Sequence, residues 1–262
     1  MIASADAQGA VAALFDARVA GRALAAFPPP VPATLADAYA IQRALYERVA
    51  RPVLGWKVGR IPAPLIDALG AERLAGPVLR VAALDGETPG DAFVFAGGAA
   101  AIEVETMLRL SAVPDHRLTT NADARALVDE VRAGFEIASS PAPDVHDHAP
   151  YGIIADIGIN NGLLLGPRLD PADFDQLEIV TEIEGSPVGS GRARDVLDGP
   201  WGSLRFLVDL HHDGIIALEP GQWISAGAIT GVHPIRPGQS SVARFGTGVR
   251  IACTALPDPG IQ

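Results

Sequence analysis

The sequence predicts an α+β fold, with a helical N-terminal part packed on a larger mixed β core. Three observations carry that prediction. Apolar residues recur at helical spacing through the first third of the chain, short alternating or apolar runs bounded by Gly and Pro dominate after Gly76, and no internal repeat interrupts either pattern. Length supports the same reading: 262 residues with 48% hydrophobic and 19% charged side chains provide a sizeable core and no compositional case for disorder. The expected division is residues 1–75 as a helical region and 76–262 as a mixed β core, together one integrated domain.

The elements follow in order. Ser4 can cap a helix whose stripe is Val11, Leu14, Phe15 and Val19 and which ends near Gly21. Pro28-Pro29-Pro30 and Pro32 force an extended connector. Thr34-Leu35-Ala36-Asp37 resembles a capping box and opens a helix to about Val49, with Leu35, Ala38, Ile41, Leu45 and Val49 at helical spacing. A shorter helix is expected from Pro62-Ala63-Pro64 to Leu69. Asp91–Phe95 reads as a short buried strand and Ile102–Leu110 as an alternating one. Thr120 or Asn121 can cap a helix to about Arg132. Leu177–Glu184 alternates into the turn Gly185-Ser186-Pro187, Ser203–Leu210 is helical and stops at Gly214, and short strands lie near Trp223, Val242–Phe245 and Val249–Cys253.

Composition excludes several function classes. A formal net charge of -11 leaves no cationic surface for nucleic acid. The single cysteine, Cys253, forms no internal disulfide and no Cys-based zinc cage, and is read as a core residue. The start Met1-Ile2-Ala3-Ser4-Ala5-Asp6 lacks the basic segment of a signal peptide, and no apolar run reaches membrane-spanning length, so a cytoplasmic protein without membrane partners is expected. No dinucleotide fingerprint, P-loop or serine nucleophile elbow is present.

The chemistry-bearing residues are few. Lys57 is the only lysine beside 19 arginines, and it sits in Gly55-Trp56-Lys57-Val58-Gly59. Two readings stand: a required ammonium, compact and tunable where Arg is neither, or one surface lysine in an Arg-biased chain. Glu103-Val104-Glu105 places two carboxylates on one face of a strand, where their repulsion calls for a hard divalent cation. Glu182-Ile183-Glu184 has the same spacing, but it ends at an exposed turn, whereas Glu103 follows a Gly/Ala run and shares its face with Met107. The first pair is therefore read as ligands and the second as surface. Glu136 alone earns no role; as a third oxygen ligand it would complete a three-carboxylate site suited to Mg²⁺ or Mn²⁺. His146-Asp147-His148 and His211-His212 match no zinc spacing and are read as solvated, and His233 is not assigned to a pocket.

In order, these segments resemble the 2-keto-4-pentenoate hydratase / 2-oxohepta-3-ene-1,7-dioate hydratase family of the fumarylacetoacetate hydrolase superfamily. The likeness rests on Ala36–Gln42, the glycine-flanked Lys57, Glu103-Val104-Glu105, Phe135-Glu136-Ile137, Ala155-Asp156 through Gly166, Val196–Pro200 and Gly221–Gly231. It implies a core with the fold of the fumarylacetoacetate hydrolase C-terminal domain, a homo-oligomer, and Mg²⁺ or Mn²⁺ on Glu103, Glu105 and Glu136. It further implies Lys57 as the catalytic group and Asp156, Asn160 and Thr230 near the substrate. The implied activity is a lyase of aromatic-compound catabolism that adds water to an unsaturated 2-oxo acid, with the metal as Lewis acid. The chain departs from the family at Arg80-Val81-Ala82-Ala83, where an acid is usual, at Ile157–Asn160, and at Ala226-Gly227-Ala228, where many members have Ser-Gly-Ser. Arg80 is the candidate partner for a second substrate carboxylate. Three alternatives accompany the hydratase reading: a decarboxylase of 4-oxalocrotonate-type diacids, an acylpyruvate C–C hydrolase, and a non-catalytic oxo-acid binder.

Overall fold

The computed structural model describes residues 7–261. Its helices are α1 (Ala7–Ala20), α2 (Leu35–Val49), α3 (Ala63–Leu69), α4 (Asn121–Ala126), α5 (Tyr151–Ala155) and α6 (Gly199–His212). The strands are β1 (Gly55–Arg60), β2 (Arg73–Val78), β3 (Val81–Ala83), β4 (Gly90–Val94), β5 (Ala99–Leu110), β6 (Val128–Ser140) and β7 (Asn160–Arg168). They continue as β8 (Ile179–Ile183), β9 (Ser186–Gly191), β10 (Trp223–Ser225), β11 (Val232–Pro234), β12 (Ser240–Phe245) and β13 (Val249–Pro257). The proposed Ser4 cap lies outside the described residues. Thr34 does cap α2, its side chain accepting a hydrogen bond from the Asp37 backbone N–H. No described helix is long and apolar enough to cross a membrane.

The strands form two mixed sheets. One runs in the order β2-β1-β10-β5-β6-β7-β3 with β11 also paired to β5, and the other in the order β4-β13-β12-β8-β9. The core lies between them and under α6, built on Val104, Leu108, Phe135, Leu204, Leu207, Ile224, Phe245 and Ile251. Burial of such side chains contributes about 1.5–3 kcal/mol each. Helices α1 and α2 form a second apolar cluster with the segment 155–159 through Leu14, Ile41, Leu45, Ala155 and Ile157.

Two differences from the sequence reading bear on function. The helix expected from Thr120 to about Arg132 stops at Ala126, and Val128–Ser140 is instead a 13-residue strand. Val131, Phe135 and Ile137 fill the core from β6, and the antiparallel pairing with β5 outweighs the helix signal at the Thr120 cap. The N-terminal third also contributes strands. Gly55–Arg60 pairs with β10 and β2, which puts Lys57 inside the large sheet.

Candidate metal centre and active-site cavity

The pairing of β5 with β6 sets the centre of the site. Glu103 lies directly opposite Glu136 in the antiparallel register, and Glu105 is two residues further along β5. Like charges facing each other across strands are destabilising. These are also among the most buried acids in the chain, with Glu105 and Glu136 at 0% exposure and Glu103 at 6%. One carboxylate oxygen from each residue lies within 4.8 Å of the other two. At that separation an ionised pair repels by roughly 3 kcal/mol at an effective dielectric near 20.

The protein compensates only in part. Lys57 Nζ lies 3.3 Å from Glu136 Oε1, and Asn160 Nδ2 donates to the same oxygen at 3.1 Å. Glu105 Oε2 accepts from Ser225 Oγ at 2.5 Å and from the Gly227 backbone N–H at 2.8 Å. These donors come from a split in the sheet. β10 pairs with β5 at Met107–Arg109 and β11 pairs with it at Ala101–Glu103, so the connecting loop opens beside Glu105. Glu105 Oε1 and Glu136 Oε2 have no hydrogen-bond partner among the described residues. Three buried carboxylates, one ammonium and two orphaned oxygens fit a hard divalent cation with oxygen ligands.

Electrostatics agree. Burial pushes the Glu103 carboxyl up to about 7 against the pull of Lys57. Burial, then the charges of Glu136 and Glu103, hold Glu105 well above the carboxylate range. Burial lowers the Lys57 pKa, but Glu136, Glu103 and Glu105 together outweigh it and raise it. For both glutamates the folded-state value exceeds the ordinary 4.5, so the protonated forms favour the fold. Metal-free protein is therefore expected to lose stability as pH rises from about 4.5 to 7. Calorimetry in EDTA should give a lower Tm at pH 8 than at pH 5, and saturating Mg²⁺ should remove that difference. A flat metal-free profile would contradict the crowding of the carboxylates.

Lys57 is held in place by close backbone packing. Gly158, at φ 67°, sits against Gly76 on β2, and a Cβ there would come 2.8 Å from Gly76 Cα and 3.2 Å from Lys57 Cδ. Any side chain at 158 would displace either β2 or the lysine.

Of the three carboxylates, Glu103 lines a cavity of about 360 Å³. Lys57, Arg60, Arg73, His146 and Asp195 line it as well. Arg60 and Arg73 face each other in the β1–β2 register. Arg73 is engaged by the Leu197 carbonyl, Asp198 and Glu72. Arg60 is exposed, and its side chain makes no hydrogen bond or ion pair among the described residues.

Of the residues singled out from sequence, the structure brings together Lys57, Glu103, Glu105, Glu136 and Asn160. Glu182 and Glu184 lie apart, Glu182 against Arg244 and Glu184 exposed on its turn. Three of the sequence-predicted residues make other contacts. Arg80 does not point into this cavity: its guanidinium pairs with Asp258 at 3.1 Å and stacks on Phe93, because the C-terminal segment brings a carboxylate to that side of the sheet. Asp156 is buried in an ion pair with Arg18 at 2.8 Å. Thr230 bonds to Thr181 and His233, while its neighbour Ile229 lines the cavity. Arg60, Arg73 and His146 were missed. The signal for the arginines was their cross-strand pairing, which depends on a β1–β2 register the sequence did not declare; the signal for His146 was its company, visible only once the fold brings it to the cavity that Lys57 lines.

No family model matches the chain. A 4-oxalocrotonate decarboxylase from a Pseudomonas species is 32% identical over 122 residues, an aligned stretch covering 46% of this chain and 47% of that protein. The chain thus matches about half the length of that curated relative. Among solved structures, 4-oxalocrotonate decarboxylase from Pseudomonas putida G7, complexed with magnesium and adipate, superposes with a TM-score of 0.77 at 20% identity, over 95% of this chain and 97% of that one. The same protein complexed with calcium and acetate gives the same TM-score of 0.77. A yeast fumarylacetoacetate hydrolase family protein superposes with a TM-score of 0.55 at 17% identity, over 78% of this chain and 93% of that one. The chain is an α+β protein with the fold of these fumarylacetoacetate hydrolase family structures.

Proposed function

We infer that the protein is a metal-dependent enzyme of the fumarylacetoacetate hydrolase superfamily that decarboxylates an unsaturated 2-oxo diacid. One observation carries this reading: Glu103, a member of the three-carboxylate cluster, lines the same cavity as Lys57 and Arg60. Glu103 opposite Glu136 calls for a cation, and Arg60 is open to an anionic group of a ligand, because its cross-strand neighbour Arg73 is already paired with Asp198 and Glu72. A diacid whose 2-oxo end meets the metal and whose far carboxylate meets Arg60 satisfies both. The matches to 4-oxalocrotonate decarboxylases support the same choice. Decarboxylation thereby displaces hydration, the leading expectation from sequence.

Glu103, Glu105 and Glu136 would hold Mg²⁺ or Mn²⁺, which supplies a Lewis acid for the oxygens of the 2-oxo acid. Lys57, fixed by Glu136 and by the close approach of Gly158, places a positive charge where negative charge builds on the oxo group. Asn160 orients Glu136 and leaves that carboxylate's second oxygen free. Arg60 orients the far carboxylate without enclosing it, so that carboxylate can leave as CO₂ into solvent.

The role of Arg60 is testable. Arg60→Ala should raise KM for a diacid about tenfold, the lower range for a charged hydrogen bond at an exposed site, with little change in kcat. Affinity for monoacids, which have no far carboxylate to lose and are followed by calorimetry, should be unaffected, and an equal loss of affinity for mono- and diacids would remove Arg60 from recognition. The reaction itself is tested by incubating the Mg²⁺-loaded protein with mono- and dicarboxylic unsaturated 2-oxo acids and measuring CO₂ and hydroxy acid separately. Stoichiometric CO₂ from diacids supports decarboxylation. Hydroxy acid without CO₂ would establish hydration instead.

A further inference from the structure

Whichever bond the enzyme breaks or makes, electron density moved into a conjugated 2-oxo group must be matched by a proton moved to or from the substrate. Lys57 is committed to Glu136, and the three glutamates are committed to the metal centre. Asp195 lines the same cavity but carries no second feature that singles it out.

His146 differs from both. It lies on the 3-10 turn Val145–His148, in the connection between β6, which carries Glu136, and α5. Its side chain lines the cavity with Lys57, Glu103 and Arg60, and no hydrogen bond holds its ring among the described residues. The neighbouring His148 is spent on other contacts, lying 3.5 Å from Asp144 and against the Phe27 ring. An imidazole that lines a cavity yet stays partly open to solvent can exchange protons with both solvent and a ligand. We propose that His146 is the proton carrier of this site, moving a proton between its imidazole and a carbon of the bound 2-oxo acid.

In the simplest form of the step, neutral imidazole removes the proton from the carbon next to the keto group. The C–H bond breaks, its electron pair enters the 2-oxo group as an enolate, and the proton passes to the ring nitrogen. The reverse transfer returns a proton from imidazolium to carbon, and solvent restores the ring. Burial, and then the charge of Lys57, hold His146 below the usual histidine value, with Asp147 opposing them. The free base is the resting form at neutral pH.

The inference rests on the 2-oxo acid reading, and its test separates the two. Saturated 2-oxoadipate carries the 2-oxo acid group and a second carboxylate but no conjugated bond, so it reports proton transfer without CO₂ loss. In D₂O with Mg²⁺, the wild-type protein should exchange its C3 protons, followed by proton NMR, with a rate that rises as pH passes through the His146 pKa. His146→Gln should slow exchange about 100-fold, at the lower end for loss of a general base, and should lose that pH limb. Mg²⁺ affinity and 2-oxoadipate affinity, both measured by calorimetry, should stay within threefold. Added imidazole should restore exchange to His146→Ala, a recovery that a structural role would not give. In the metal-free protein, the His146 ring C–H resonance should report a pKa below 6.5, the ordinary value.

Equal exchange by wild type and His146→Gln would overturn the assignment, as would no exchange by wild type. Calorimetry on the same wild-type sample then decides the wider reading. Binding without exchange leaves the oxo-acid site standing and removes His146, whereas no binding removes both.

Discussion

Glu105→Gln is expected to abolish Mg²⁺ binding while leaving the metal-free protein as stable as the wild type or more so. The substitution keeps size and shape but removes a fully buried charge that burial and two neighbouring carboxylates already disfavour. Metal affinity should fall by at least about 100-fold, since even residues that only orient ligands cost 10–100-fold when changed. The stabilisation that wild type gains at 100 Kd of Mg²⁺, about 2.7 kcal/mol or roughly 5–10 °C in Tm, should disappear. Glu103→Gln and Glu136→Gln should behave alike, although the latter also frees Lys57 from its ion pair. Glu182→Gln and Glu184→Gln provide the control: the same sequence spacing, on a half-exposed strand end, should leave Mg²⁺ binding unchanged. Equal losses at both pairs, measured by titration calorimetry, would contradict the metal assignment.

Lys57→Met should lower kcat by about 10²–10³-fold, the range found when a single preorganised donor is removed from developing negative charge. Metal binding should persist, because the lysine touches one ligand and replaces none. Lys57→Arg should fail to rescue turnover. The 3.3 Å contact to Glu136 Oε1 and the wall formed by Gly158 and Gly76 leave room for a compact ammonium but not for a planar fork. Turnover by the Arg variant near the wild-type rate would return Lys57 to the role of an ordinary cation. Comparing kcat with KM across both variants separates charge stabilisation from substrate binding.

The candidate metal ligands were legible because strand alternation is local. Glu103 and Glu105 share a face whatever the strand pairs with, and Met107 on the same face correctly signalled burial. Glu136 gained its meaning only from register, since a helix cap at Thr120 concealed that residues 128–140 are a strand laid against β5. Lys57 stood out by composition, yet the strand that carries it was hidden among helices because two glycines weaken any six-residue strand signal. The substrate end was not legible. Arg80 drew attention by standing where relatives have an acid, but Asp258, 178 residues away in sequence, claims it. The arginines that do line the cavity meet only through the β1–β2 pairing. His146 was set aside with its neighbours for want of a zinc spacing, a test that says nothing about an acid–base role.

In this reading Glu103, Glu105 and Glu136 hold a divalent ion on which a 2-oxo acid docks. Crystals grown with Mn²⁺ and oxalate, an unreactive mimic of the carboxylate and keto oxygens, test it most directly through the anomalous scattering of manganese. The account predicts one strong peak bounded by oxygens of all three glutamates, with oxalate on its open side beside Lys57. A peak elsewhere, or oxalate bound away from the ion, would contradict it.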